Sequence, residues 1–123
     1  MTEYVIDTSA VVAFLLNEPG GDAVAPFLAS ALLNSVNLTE VVTRLVRGGY
    51  DPMRAHYLGC KVIDHDTDLA DRAGRLWTGT ARLGLSLGDR ACLALALREG
   101  LPILTGDRPW ARLDIGVDVR LIR

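Results

Sequence analysis

The stretch Tyr4-Val5-Ile6-Asp7-Thr8-Ser9 limits what this chain can fold into more than any other. Its apolar residues run together without polar alternation, the pattern of a central parallel strand buried on both faces. Asp7 follows at once, and Thr8-Ser9 then open an apolar segment of helical periodicity from Ala10 to Leu16. In open parallel sheets, ligands bind beyond the carboxyl ends of the strands. A carboxylate at that place, next to hydroxyls at a helix start, is badly placed for a core and well placed for a metal. The plain alternative is that Asp7 caps the next helix by accepting a backbone N–H. Taken alone, the two readings stand level.

Later segments repeat the strand-and-helix rhythm. Asn17-Glu18-Pro19-Gly20-Gly21 is turn chemistry, and a short helix is expected from Asp22 to Leu28. Ala31 to Ser35 reads as the second strand and Ser35 to Val46 as a helix stopped by Gly48-Gly49. Asp51-Pro52, a cap followed by proline at the first helical position, predicts a helix to about Gly59. Lys61-Val62-Ile63 is a third strand, and a long helix is expected from Asp68 to Arg82, ended at Gly84. Ser86 and Gly88-Asp89 introduce a helix apolar almost all round, Ala91 to Leu97, which must be buried on more than one face. Pro102 to Thr105 is a fourth strand and Val117 to Ile122 a fifth. Strands separated by helical segments, without hairpin signals, predict a parallel α/β sandwich. At 123 residues, residues 1–123 are expected to form one domain around one core.

Four acids stand apart from the solvent-facing ones. Asp7 ends the first strand and Asp107 the fourth, Glu40 sits in the first turns of an otherwise apolar helix, and Asp89 opens the most buried helix. The two strand-end acids fall on one edge of a parallel sheet, and helices that start there can turn Glu40 and Asp89 to the same cleft. Clustered carboxylates repel one another unless a cation is present. All-oxygen ligation with room for water suits Mg²⁺ and Mn²⁺, and such an ion supports phosphodiester cleavage. Singly, Asp89 could be a helix-start acid favoured by the macrodipole, and Asp107 an ordinary turn residue. Four such coincidences on one edge are harder to accept.

Bulk charge does not point to nucleic acid, since the net charge is −2 and the pI about 5.6. Basic residues are 12 Arg against one Lys, a skew that a GC-rich genome would also produce. No apolar stretch approaches the ~20 residues that span a bilayer. Met1-Thr2-Glu3 has no leader character, and Cys60 and Cys92 read as small buried hydrophobes. A cytoplasmic protein without membrane association is the expectation. Asp64-His65-Asp66-Thr67-Asp68 resembles the start of a calcium loop, but Leu69 and Arg75 stand where Gly and Glu are required. His56 and His65 lack partners at zinc-ligand spacing.

The segments Val-Ile-Asp-Thr-Ser (5–9), Ser-Val-Asn-Leu-Thr-Glu-Val (35–41), Leu-Ser-Leu-Gly-Asp-Arg-Ala (85–91) and Leu-Thr-Gly-Asp-Arg-Pro-Trp (104–110) agree in order and spacing with one family. Along nearly its full length the chain resembles a PIN domain, specifically the VapC-type toxin ribonuclease of a type II toxin–antitoxin system. The resemblance implies a three-layer α/β/α PIN-like fold with a mostly parallel five-stranded sheet. It implies a Mg²⁺-dependent endoribonuclease, with Mn²⁺ able to substitute, that hydrolyses RNA to 5′-phosphate and 3′-hydroxyl ends. It also implies a VapB-type antitoxin partner and a homodimer. Carried over by position, Asp7, Glu40, Asp89 and Asp107 become the catalytic, metal-binding acids, Asp7 and Asp89 most directly. Thr8, Ser9 and Thr105 become candidates for holding carboxylates or water. Gly106 and Pro109 depart from the commoner family residues, which bears on loop geometry and not on the carboxylate.

Arg90 and Arg108 each follow a site acid and read equally well as structural partners or as RNA contacts. Trp110 is the better placed of the two tryptophans to stack on a base near the cleft, though an aromatic is more often core. A haloacid-dehalogenase-like phosphatase would need an Asp where Ser9 stands and a late functional Lys, whereas the sole Lys is Lys61. A PIN-like binding module that has lost catalysis is the other rival, and the presence of all four acids argues against it.

Overall fold

The computed structural model describes residues 3–123. Met1 and Thr2, part of the stretch read above as lacking leader character, lie outside them. Five short strands, β1 (Tyr4–Ile6), β2 (Ala31–Asn34), β3 (Lys61–Ile63), β4 (Ile103–Thr105) and β5 (Val119–Leu121), form one sheet in the order β3-β2-β1-β4-β5. Every neighbouring pair is parallel. β1 pairs with β2 on one side (Val5 with Leu32) and with β4 on the other (Val5 with Ile103). The chain order therefore reverses between β1 and β4, and that switch point is where an open parallel sheet leaves a crevice beyond its carboxyl edge.

Strand alternation sorts the core into two halves. Ile6, Leu33 and Leu104 point to one face, where α1 (Thr8–Leu15) and α2 (Ser35–Arg47) supply Val11, Leu15, Val41 and Leu45. Val5, Leu32 and Ile103 point to the other, covered by α3 (Thr67–Arg75) and α5 (Leu87–Glu99). Ala91 to Ala96 are all buried, as an all-round apolar helix requires. This is the expected three-layer α/β/α arrangement. No helix of the described residues is long and apolar enough to cross a membrane.

Several expected helices are shorter than their patterns suggest. The segment expected to be helical from Asp22 to Leu28 is two 3₁₀ turns, Gly21–Ala23 and Ala25–Ser30. Pro26 withholds an N–H in the second, and so short a segment gains little from helical cooperativity. The Asp51-Pro52 start carries only a 3₁₀ turn, Pro52–His56, although Asp51 does cap it by accepting from Met53 N at 2.9 Å. The helix expected over Asp68–Arg82 breaks into α3, the one-turn α4 (Trp77–Thr80) and a 3₁₀ turn at Ala81–Leu83. Gly74, Gly79 and two threonines disfavour continuous helix there, and Thr80 Oγ1 bonds back to the Leu76 carbonyl at 2.8 Å. Cys92 is buried as expected, but Cys60 is only half-buried.

Candidate active site

Asp7 leaves β1 with its side chain 2% exposed and caps α1. Both readings of this residue therefore hold at once. Its Oδ2 accepts from Ser9 Oγ at 2.6 Å, Thr105 Oγ1 at 2.9 Å and, more weakly, Ser9 N at 3.4 Å. Each hydroxyl gives its one proton to Asp7 and uses a lone pair elsewhere. Ser9 Oγ accepts from Gly106 N at 2.8 Å, and Thr105 Oγ1 from Asp107 N at 3.0 Å. The loop after β4 is thus tied through two side chains to the acid after β1, across the switch point.

Glu40 lies in the second turn of α2, which starts where Asn34 ends β2 and accepts from Val36 N at 2.8 Å. Its Oε1 accepts from Thr8 Oγ1 at 2.6 Å and from the buried Asn37 Nδ2 at 2.9 Å. Asn37 Nδ2 also donates to the Gly88 carbonyl at 2.9 Å, joining the starts of α2 and α5. The helices approach so closely that a Cβ on Gly88 would stand 2.3 Å from Glu40 Oε2. Asp89 belongs to a capping box with Ser86, whose N donates to Asp89 Oδ2 at 2.9 Å.

All four acids line one cleft of about 460 Å³, together with Thr8 and Ser9. Asp7, Glu40 and Asp89 share a pattern: one oxygen is engaged by protein donors, and the other has no hydrogen bond among the described residues. Asp107 is exposed, and its side chain makes no capping bond. The carboxylates face the cleft from separate walls, and among the described residues no three of them close into a ligand cluster.

Burial pushes the Asp7 carboxyl up from its ordinary 3.8 to about 6, against the pull of the Ser9 and Thr105 hydroxyls, and the charges of Asp89 and Asp107 add to the rise. Asp89 is raised as well, first by burial and then by Asp107 and Glu40, while Ser86 opposes. Beneath the acids, burial holds the Cys92 thiol far above its usual range, so it remains a neutral apolar filler.

The structure brings Asp7, Glu40, Asp89, Asp107, Thr8, Ser9 and Thr105 together, but not the three candidate RNA contacts. Trp110 is 1% exposed and packs in the core beside α5, so its ring cannot stack on a base in the cleft. Arg90 is half-buried and donates to the Ala73 carbonyl at 3.0 Å, bracing α5 against α3. Arg108 is exposed outside the cleft and donates to the Arg123 carbonyl at 3.2 Å. The basic residues that do line the cleft are Arg44, Arg47 and Arg123, and Glu18 stands among them. Arg44 and Arg47 could have been found from the sequence, because they follow Glu40 at i+4 and i+7 on one helix face. Arg123 gives no local signal, since the pairing of β5 with β4 sets its position.

The PIN domain family model matches residues 4–116. No curated protein matches the chain by sequence. Among solved structures, the chain is similar to one from the DNA-bound VapBC of Salmonella typhimurium, with 19% identity, a TM-score of 0.74 and full coverage of both chains. It is similar to one from a toxin–antitoxin complex of Klebsiella pneumoniae at 18% identity and TM-score 0.77, over 98% of each chain. Mycobacterium tuberculosis VapC20, a Sarcin-Ricin loop cleaving toxin, superposes at TM-score 0.75 with 16% identity over 94% of this chain and 99% of its own. These likenesses are of fold. With the family model spanning the strand-end and helix-start acids alike, the chain belongs to the PIN-domain family.

Proposed function

We propose that this protein is the toxin of a VapBC-type system, a Mg²⁺-dependent endoribonuclease that hydrolyses RNA to 5′-phosphate and 3′-hydroxyl ends. One observation carries the reading: four carboxylates border one cleft, and three of them have one oxygen held by protein donors and the other left free. The donor set fits Mg²⁺ or Mn²⁺, being all oxygen, with no thiolate or imidazole on the cleft wall among the described residues. Asp7 and Asp89 would hold the ion most directly, and Glu40 and Asp107 would complete the site. When bound, such an ion supplies Lewis acidity, offsetting charge on the phosphate and acidifying water.

The protein's own part is positioning. Ser9 and Thr105 fix the rotamer of Asp7, and Thr8 and Asn37 fix that of Glu40, so that free oxygens are presented without rearrangement. Burial raises the Asp7 carboxyl, which holds its proton into the weakly acidic range, and a bound cation would favour the ionised form. A VapB-type antitoxin is the expected partner, in line with the toxin–antitoxin complexes of similar fold, and a second copy of the chain is expected from the family resemblance alone.

The test uses purified, antitoxin-free protein and its Asp7→Asn variant on end-labelled structured RNA, with Mg²⁺ or with EDTA. Mg²⁺-dependent cleavage to 5′-phosphate ends, absent from the variant, is expected. Equal cleavage by both proteins, or cleavage that survives EDTA, would refute the assignment.

A further inference from the structure

We infer that Arg44, Arg47 and Arg123 form a phosphate track that carries the RNA strand beside the scissile bond, and that Glu18 occupies a phosphate position on it when RNA is absent. This inference rests on the ribonuclease reading above.

From Glu40, α2 continues with Thr43, Arg44 and Arg47 on the same face, and all of them border the cleft. The basic charges step away from the acids along the helix, which advances about 5.4 Å per turn. A second cavity of about 400 Å³, lined by Arg44, Arg47 and Gly48, continues the cleft in that direction. A helix C-terminus favours cations by itself, but that does not account for the opposite wall. There Arg123 enters from beyond β5, with its Nη1 bonded to the Pro19 carbonyl at 3.1 Å. Gly106 makes room for it, since a Cβ at that position would come within 2.9 Å of the guanidinium.

Glu18 joins the two walls, pairing with Arg44 at 3.4 Å and with Arg123 at 3.5 Å. Its loop is held close because Gly20, at φ 84°, packs so tightly on the Ile122 carbonyl that a Cβ would sit 2.3 Å from that oxygen. An anion position between two guanidiniums is therefore already built, and a carboxylate fills it. Arg47, in contrast, has no ion-pair partner among the described residues and is exposed. A cleft with acids at one end and a row of arginines leading away suits a ligand whose negative charge repeats along its length. Single-stranded RNA has that property, and its phosphates bind arginine in bidentate fashion.

The experiment measures cleavage of a labelled single-stranded RNA with Mg²⁺ over a range of salt concentrations. Arg47→Gln should raise KM more than it lowers kcat and reduce the slope of log(kcat/KM) against log[salt] by about 0.7. Arg44→Gln combined with Arg47→Gln should reduce it by about twice that, and Glu18→Gln should lower KM by freeing two arginines. Arg47→Lys, which keeps the charge, should restore most of the wild-type slope, a rescue that a merely structural role does not predict. Wild-type KM and slope in the double variant would overturn the track while leaving the ribonuclease reading intact. A wild-type protein that cleaves no RNA would overturn both.

Discussion

The ends of β1 and β4 look alike in sequence, each an apolar strand followed within two residues by an aspartate, yet they are opposite environments. Asp7 is buried, caps a helix and takes two hydroxyl protons, and its carboxyl is raised to about 6. Asp107 is exposed and caps nothing by its side chain. One is a fixed anchor whose charge is costly without a cation, and the other is a solvent-facing carboxylate with no capping bond to hold it. Equal motifs therefore do not mean equal roles: the backbone N–H groups of the β4 loop go to Ser9 and Thr105, which in turn hold Asp7, so the second strand end serves the first.

The largest expected effect tests that asymmetry directly. Asp7→Asn should reduce Mg²⁺-dependent RNA cleavage by about 10²–10³-fold, the scale of removing a principal electrostatic group. Asp107→Asn should cost clearly less. Single-turnover assays of both variants would break the comparison if the losses matched.

Stability should separate the two ends next. Between pH 4 and 6 Asp7 holds more proton in the fold than in the unfolded chain, because it titrates at about 6 instead of 3.8. The metal-free wild type should therefore gain on the order of 3 kcal/mol relative to Asp7→Asn as pH falls from 7 to below 4. Urea unfolding of both proteins in EDTA measures the difference. Taking it between the two cancels Asp66 and Asp118, whose lowered carboxyls pull the other way. A difference independent of pH would show that Asp7 is not strained by burial.

Gly88→Ala probes the helix side of the cleft, where a methyl would overlap the Glu40 carboxylate. Roughly 1–3 kcal/mol of destabilisation is expected, as for overpacking elsewhere, with activity reduced through Glu40. Mildest of all, Thr105→Val should cost about 1–2 kcal/mol by removing a hydroxyl bonded to both strand ends. Thermal melts rank the two, and a Thr105→Val melt equal to that of the wild type would sever the proposed link between β4 and Asp7.

Legibility from sequence followed how local the determining physics is. Strand cores such as Val5-Ile6 and Ile103-Leu104, the helix start at Ser86, and the acids Asp7 and Asp89 beside them depend on neighbours a few residues away, and these were readable, whereas the cap that Asn34 supplies to α2 was not drawn from the sequence. Helix lengths over 68–82 were not, because apolar periodicity continues through Gly74 and Gly79 where the backbone breaks. Trp110 misled for a similar reason: proximity to Asp107 in sequence says nothing of which side of the sheet a 3₁₀ turn packs against. Arg123 and Glu18 meet only through tertiary contacts, beyond the reach of any local pattern.

The bond from Thr105 to Asp7 spans 98 positions in sequence. A chain emerging from the ribosome therefore cannot complete this centre until β4 has cleared the exit tunnel, and loop closure over such a distance is slow compared with helix formation. A fragment that ends before β4 lacks the hydroxyl that holds Asp7, so synthesis itself delays completion of this acid cleft until nearly all the described fold is available.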